Sequence, residues 1–159
     1  MSIYQAVIAT PLGRVGIRMA GDVISTLDYL AADAPDQPPT ATATAAVVTQ
    51  LEAYFHNARY PFTVPLAPSG TAFQQRVWAA LQAIPAGTVL TYGDLAQKLD
   101  TAARAIGGAC RANPIPILIP CHRVVGRQGL GGYTGAVTGD PLGIKRWLLR
   151  HEGAMVEPE

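Results

Sequence analysis

The residues most able to do chemistry lie together in Ile117-Leu118-Ile119-Pro120-Cys121-His122-Arg123-Val124-Val125. An apolar run stops at a proline, a thiol follows, then an imidazole and a guanidinium, and apolar residues resume. A thiol held between buried segments beside such groups is a candidate nucleophile. The thiolate is the attacking species, and a free cysteine with a pKa of about 8.5 is ionised only to a few per cent at neutral pH. It needs help from a base or a cation, and His122 and Arg123 can supply either. The same spelling also suits a buried cysteine acting as a small hydrophobe, and local cysteine signatures do not transfer between families.

The elements around this stretch must position it. Its predecessor, Asn113-Pro114-Ile115-Pro116, is extended, because each proline biases the residue before it out of the helical region, and Asn113 suits the turn. Upstream, Thr91 caps a short helix Tyr92–Leu99, a tight turn at Asp100-Thr101 follows, and a second helix covers Ala102–Ala112. Two short helices joined by a tight turn suggest a helix-turn-helix, a pattern also common in proteins that never touch DNA. The second helix carries Gly107 and Gly108, each costing about 1 kcal/mol relative to alanine. They permit close approach of another backbone, either a neighbouring helix or a nucleic-acid groove. Ser69 or Thr71 caps an earlier helix with a buried stripe of Phe73, Val77, Leu81 and Ile84. After Val125 a glycine-rich loop, Gly126–Gly139, lacks the spacing and following helix of a phosphate-binding loop. Ile144–Arg150 is a last short helix.

The N-terminal part has a different texture. Ile3–Ala9, then Val15, Ile17 and Met19 in alternation, then Val23–Leu30 predict an antiparallel meander. Ala31–Thr44 reads as a loop, and Val47, Val48, Leu51, Tyr54 and Phe55 follow an amphipathic helical pattern. A break at Ala67-Pro68-Ser69-Gly70 divides the chain into 1–67 and 68–159. The expected class is α+β.

Composition narrows the function classes. Hydrophobic residues make up 49% of the 159 positions and charged residues 14%, which fits a globular core and excludes a disordered chain. No apolar stretch suits a membrane span, and residues 1–20 do not read as a signal peptide. Two cysteines make a poor disulfide framework, so a reducing cytoplasm is expected. Three scattered histidines and no close cysteine pair leave no metal-ligand spacing. Residues 1–68 carry a balance of −2 and residues 69–159 one of +3. Between Thr101 and Gly139 lie Arg104, Arg111, Arg123 and Arg127 with no acid. That stretch faces either a polyanion or solvent.

Ile119-Pro120-Cys121-His122-Arg123-Val124, preceded by Ala103-Arg104-Ala105-Ile106-Gly107-Gly108 and Asn113-Pro114, resembles the O6-alkylguanine-DNA alkyltransferase (methylated-DNA–protein-cysteine methyltransferase) family. Tyr92, Gly132-Tyr133 and the run from Lys145 to Gly153 extend the likeness over residues 71–153. The N-terminal part resembles the family in layout alone, a small sheet with a helix in the ribonuclease-H-like manner.

The resemblance implies a winged-helix-like C-terminal domain and a stoichiometric DNA-repair methyltransferase with no cofactor and no metal. Its partner would be double-stranded DNA carrying O6-alkylguanine, with O4-alkylthymine as a further substrate, bound through the minor groove by a monomer in the cytoplasm or nucleoid. Cys121 would accept the alkyl group and pass its proton through a water to His122, which Glu152 orients. Tyr92 would face the leaving base, Lys145 would poise Tyr92, and Asn113 would brace the cysteine turn. Val124 and Thr134 would read the purine edge through their backbones, with Tyr133 and Cys110 in the base pocket. The base must leave the stack, so Ala102, Ala103, Gly107 and Gly108 would approach the groove. Arg104 would fill the vacated space, and Arg111 and Arg127 would meet phosphates or the opposite strand. The turn between Tyr92 and Arg104 is shorter than in many relatives and Gly135–Ile144 is longer. Two other readings suit part of the pattern: a non-catalytic module recognising alkylated DNA, and a cysteine hydrolase using Cys121 and His122.

Overall fold

The computed structural model describes residues 2–133 and 140–154. The chain forms two compact units, Met1–Ser69 and Gly70–Glu159. Thr134 and the adjoining loop residues to Gly139 lie outside the described residues.

In the first unit β1 (Ala6–Thr10), β2 (Gly13–Ala20) and β3 (Val23–Tyr29) form an antiparallel meander. Ala6 pairs with Ile17, and Val15 with Tyr29, so Ala6, Val15, Ile17 and Leu27 are buried together. Gly13 makes the first turn with φ of 102°, a conformation that favours glycine. The helix α1 (Thr42–His56) packs on this sheet through Val47, Val48, Leu51 and Tyr54. The first strand starts at Ala6, not Ile3, whose side chain is exposed. The helix begins inside the stretch read as a loop, because its first turn of Thr and Ala has no side-chain cap to announce it. Phe55 is half-buried: one residue beyond Tyr54 on a helix, it lies off the buried stripe.

Two helices of the second unit start at capping boxes. In α2 (Ala72–Gln82) Thr71 Oγ1 accepts from Gln74 N and Gln74 Oε1 accepts from Thr71 N, a reciprocal capping box. Thr91 and Asp94 make the same arrangement at α3 (Tyr92–Lys98). Asp100, at φ 54°, turns the chain into α4 (Ala103–Arg111). Trp78, absent from the stripe read in the sequence, is the largest fully buried side chain, and its Nε1 donates to Ala109 O at 2.9 Å. That bond ties α2 to α4.

A feature with no sequence signal follows. β4 (Leu90–Thr91) pairs in parallel with β5 (Val124–Val125), Leu90 opposite Val124. Two-residue strands carry no readable periodicity. Yet β4 leads directly into Tyr92, and β5 leaves the 3-10 turn Cys121–Arg123. Their pairing brings the start of α3 to the cysteine turn. The last helix, α5 (Pro141–His151), begins three residues before the expected Ile144. Asp140 caps it by accepting from Gly143 N at 3.0 Å, and Pro141 occupies the first position, where its missing N–H costs nothing. No described helix is long and apolar enough to cross a membrane.

Candidate active site and nucleic-acid interface

Cys121 sits at the end of an extended, buried run braced by one side chain. Asn113, 1% exposed, donates from Nδ2 to Ile119 O at 2.8 Å and accepts from Ile115 N at 2.9 Å. The segment it spans contains Ile117 with φ of 76°. A β-branched residue in the left-handed region costs on the order of 1–3 kcal/mol and persists only when its surroundings hold it. The bracing by Asn113 supplies that hold. Burial pushes the Cys121 thiol up to about 11, against the pull of its hydrogen bond with Asn113 and of the Lys145 charge. The resting thiol is therefore protonated at neutral pH, and attack requires a base.

The candidate base is next in sequence. His122 is fully buried, and its Nε2 lies 2.8 Å from Glu152 Oε2. Burial and the hydrogen bonds and charges of His122 and Arg123 oppose one another at Glu152, and the latter win: its carboxyl is held well below the usual carboxylate range. An ionised carboxylate only accepts, so Nε2 carries the proton and Nδ1 is left as an acceptor. Nδ1 is buried and has no protein hydrogen-bond partner among the described residues. Burial lowers the His122 pKa, with Glu152 opposing and Arg123 and Lys145 adding to the fall. A neutral imidazole with a free lone pair results.

Arg123 departs from both roles read for it in the sequence. It is neither a loose cation for the thiol nor part of an outward basic face. Its Nε donates to Glu152 Oε1 and its Nη2 to Glu152 Oε2, each at 2.9 Å, and Nη1 donates to Ile84 O at 2.5 Å. The pairing spans 29 positions of sequence, so no local spacing announces it.

Lys145 is completely buried. Its Nζ donates to the carbonyls of Val124 at 2.7 Å, Leu130 at 2.5 Å and Gly132 at 2.6 Å. Those bonds use all three ammonium protons. Its 3.4 Å approach to Tyr92 Oη is therefore electrostatic, reinforced by the ammonium lying 5.6 Å from the Tyr92 ring centre. Tyr92 Oη also accepts from Gly132 N at 3.2 Å. Burial raises the Tyr92 pKa, so the phenol keeps its proton. Gly131 has φ of 73°, and a Cβ there would stand 2.6 Å from the Tyr92 ring. The loop needs a glycine at that position.

Tyr92, Ala103, Arg104, Gly107, Cys110, Arg111, Gly132 and Tyr133 line one cavity of about 290 Å³. Burial pushes the Cys110 thiol up to about 12, so it too is protonated at neutral pH. Val124 and Tyr133 are buried beside this site, while Ala102, Ala103, Arg104, Arg111 and Arg127 are exposed. A Cβ added at Gly107 or Gly108 would meet no atom within 4 Å. Among the described residues no neighbouring helix demands these glycines.

Comparison with known proteins identifies this arrangement. The DNA-binding domain of 6-O-methylguanine DNA methyltransferase matches residues 72–154, and the ribonuclease-like domain of the same protein matches residues 3–68. The chain belongs to the 6-O-methylguanine DNA methyltransferase family. A methylated-DNA–protein-cysteine methyltransferase of Salmonella typhimurium is 54% identical over 97 residues, covering 59% of this chain and 54% of the relative. The match thus spans about half that relative's length. The constitutive Bacillus subtilis protein of this name is 38% identical over 160 residues, covering 94% of each chain. The crystal structure of Mycobacterium tuberculosis O6-methylguanine methyltransferase superposes with a TM-score of 0.78 at 37% identity, covering 96% of this chain and 94% of that one. The same organism's OGT in complex with DNA gives 0.76 at 39% identity, covering 92% and 90%.

Proposed function

We propose that this chain repairs duplex DNA by moving the alkyl group of O6-alkylguanine irreversibly onto Cys121. The observation that carries this reading is the buried Cys121 thiol beside a neutral His122 whose outer nitrogen is engaged by Glu152. Family membership and the DNA-bound Mycobacterium relative support DNA as the partner.

In the proposed reaction the Cys121 proton passes through a bridging water to His122 Nδ1, and the imidazolium is stabilised by Glu152. The sulfur attacks the alkyl carbon, a C–S bond forms, and the C–O6 bond breaks with its electron pair passing to guanine. The departing base takes a proton from the Tyr92 hydroxyl, whose resulting charge the Lys145 ammonium offsets. Cys121 becomes a thioether, which has no ionisable proton and is a poor leaving group, so each molecule acts once.

The target atom is inaccessible in a duplex, so the base is flipped into the cavity beside Tyr92. The exposed Ala102 and Ala103 and the half-buried Gly107 and Gly108 suit close approach to the minor groove. Arg104 fills the gap, where a planar guanidinium can both stack and hydrogen-bond. Arg111 and Arg127 meet the backbone. Val124 and Thr134 read the purine edge, Tyr133 and Cys110 complete the pocket, and a monomer suffices. The same reading assigns the helical functions to a domain of residues 68–159 and leaves residues 1–67 as a separate domain.

Intact-mass measurement after mixing the protein with duplex DNA containing O6-methylguanine tests this reading. The expected result is a gain of one methyl group, confined to the peptide containing Cys121. Unchanged mass with retained DNA binding would favour a recognition module, continued turnover would favour a hydrolase, and a methyl group on Cys110 would reassign the acceptor.

A further inference from the structure

Arg123 takes no part in the transfer chemistry above, yet its guanidinium makes three hydrogen bonds within the fold. Its side chain is 12% exposed and faces a fully buried carboxylate. Two parallel bonds of 2.9 Å grip both oxygens of Glu152, and Oε2 is also the atom 2.8 Å from His122 Nε2. The third branch reaches Ile84 O just beyond α2. One guanidinium thereby joins the end of α2, the cysteine turn and the end of α5.

We infer that Arg123 is a positioning residue for the proton transfer, its two-point grip holding the Glu152 carboxylate in the orientation that engages His122 Nε2. This inference rests on the alkyl-transfer reading. A carboxylate bound to imidazole alone favours the imidazolium strongly. Here the same carboxylate is already neutralised by a guanidinium, so its pull on a proton at His122 is reduced. His122 then waits as a neutral base, and Glu152 still stabilises the imidazolium once it forms. The groups around His122 are few among the described residues. The α5 side contributes Glu152 and Lys145, the turn itself contributes Cys121 and Arg123, and the α2 side presents the Ile84 carbonyl to Arg123. Lysine cannot reproduce the grip, because it is a point charge with no planar fork.

The test is the single-turnover rate of methyl transfer from O6-methylguanine duplex across pH, with the His122 ring titration followed by NMR. In Arg123→Met the acid limb moves to higher pH, with the rate about tenfold down near pH 6 and within about threefold of wild type near pH 8.5. His122 titrates at correspondingly higher pH. Arg123→Lys restores charge without the two-point grip, so it returns the limb only part of the way toward wild type. In a Glu152→Gln background the shift caused by Arg123→Met shrinks to what the Arg123 charge exerts on His122 directly, since the carboxylate it acts through is gone. Should Arg123→Met not fold, Arg123→Gln carries the same comparison. A uniform rate loss at every pH with an unmoved His122 titration would overturn the inference and leave Arg123 a brace of the fold. The NMR titration needs no DNA. A wild type that transfers no methyl group would sink the alkyl-transfer reading on its own, separately from the outcome at His122.

Discussion

The Lys145 ammonium lies 2.7 Å from the Val124 carbonyl oxygen, and this contact joins α5 to the strand leaving the cysteine turn. The same nitrogen holds the carbonyls of Leu130 and Gly132. A buried cation is thereby the hub of the wall beside Tyr92.

Replacing Lys145 by Met leaves those carbonyls buried without their donor. Each such loss costs roughly 1–3 kcal/mol, so chemical denaturation should show a stability loss of about 3 kcal/mol or more. Transfer should slow at least tenfold with free O6-benzylguanine and with duplex DNA alike, because the pocket wall serves both. The pH dependence separates the two effects. Burial pushes Lys145 down to about 8. Wild-type transfer should decline above that pH as the ammonium discharges. Stability should not follow: the folded value lies below an unfolded value of about 10.4, so the folded state holds fewer protons across that window and this group's contribution rises with pH.

Arg104 lies exposed on α4 at the edge of the cavity. Arg104→Ala should slow repair of duplex DNA far more than reaction with free O6-benzylguanine, on the order of a hundredfold against less than threefold, since the free base needs no extrusion from the stack. Single-turnover kinetics with the two substrates make the comparison. Equal slowing would show that Arg104 supports the fold.

Trp78→Phe keeps an aromatic ring in the core but removes the bond to Ala109 O. The carbonyl then lacks its donor, and urea denaturation should show a loss of about 1–2 kcal/mol. The reaction with free O6-benzylguanine should slow less than duplex repair, because α4 also lines the cavity. Duplex repair should weaken, because the bond anchors the helix that presents Arg104.

Much of this protein was determined locally. Thr71, Gln74, Thr91 and Asp94 are capping residues at fixed offsets, and each starts its helix where the spacing says it must. The apolar spacing of α1 and the alternation along β2 reflect which face is buried, which depends on neighbours within a turn or a pleat. The ordered run around Cys121 marked the candidate nucleophile and the turn at Asn113, while the roles of Lys145 and Glu152 came from the resemblance to the family. Tertiary structure decided how those residues are charged and whom they face. A protonated Cys121, a neutral His122 and an ionised Glu152 follow from burial and from partners on other elements. The β4–β5 pairing is too short to leave a pattern, and Ile117 takes its left-handed conformation because Asn113 holds the chain on either side of it. Arg123 shows the division most sharply. Its sequence neighbourhood is an acid-free run suited to a polyanion, but its charge meets a carboxylate brought in from the end of α5. Caps and periodicity act over one turn, whereas the partner of a buried charge is chosen by whichever group the packed chain carries to it.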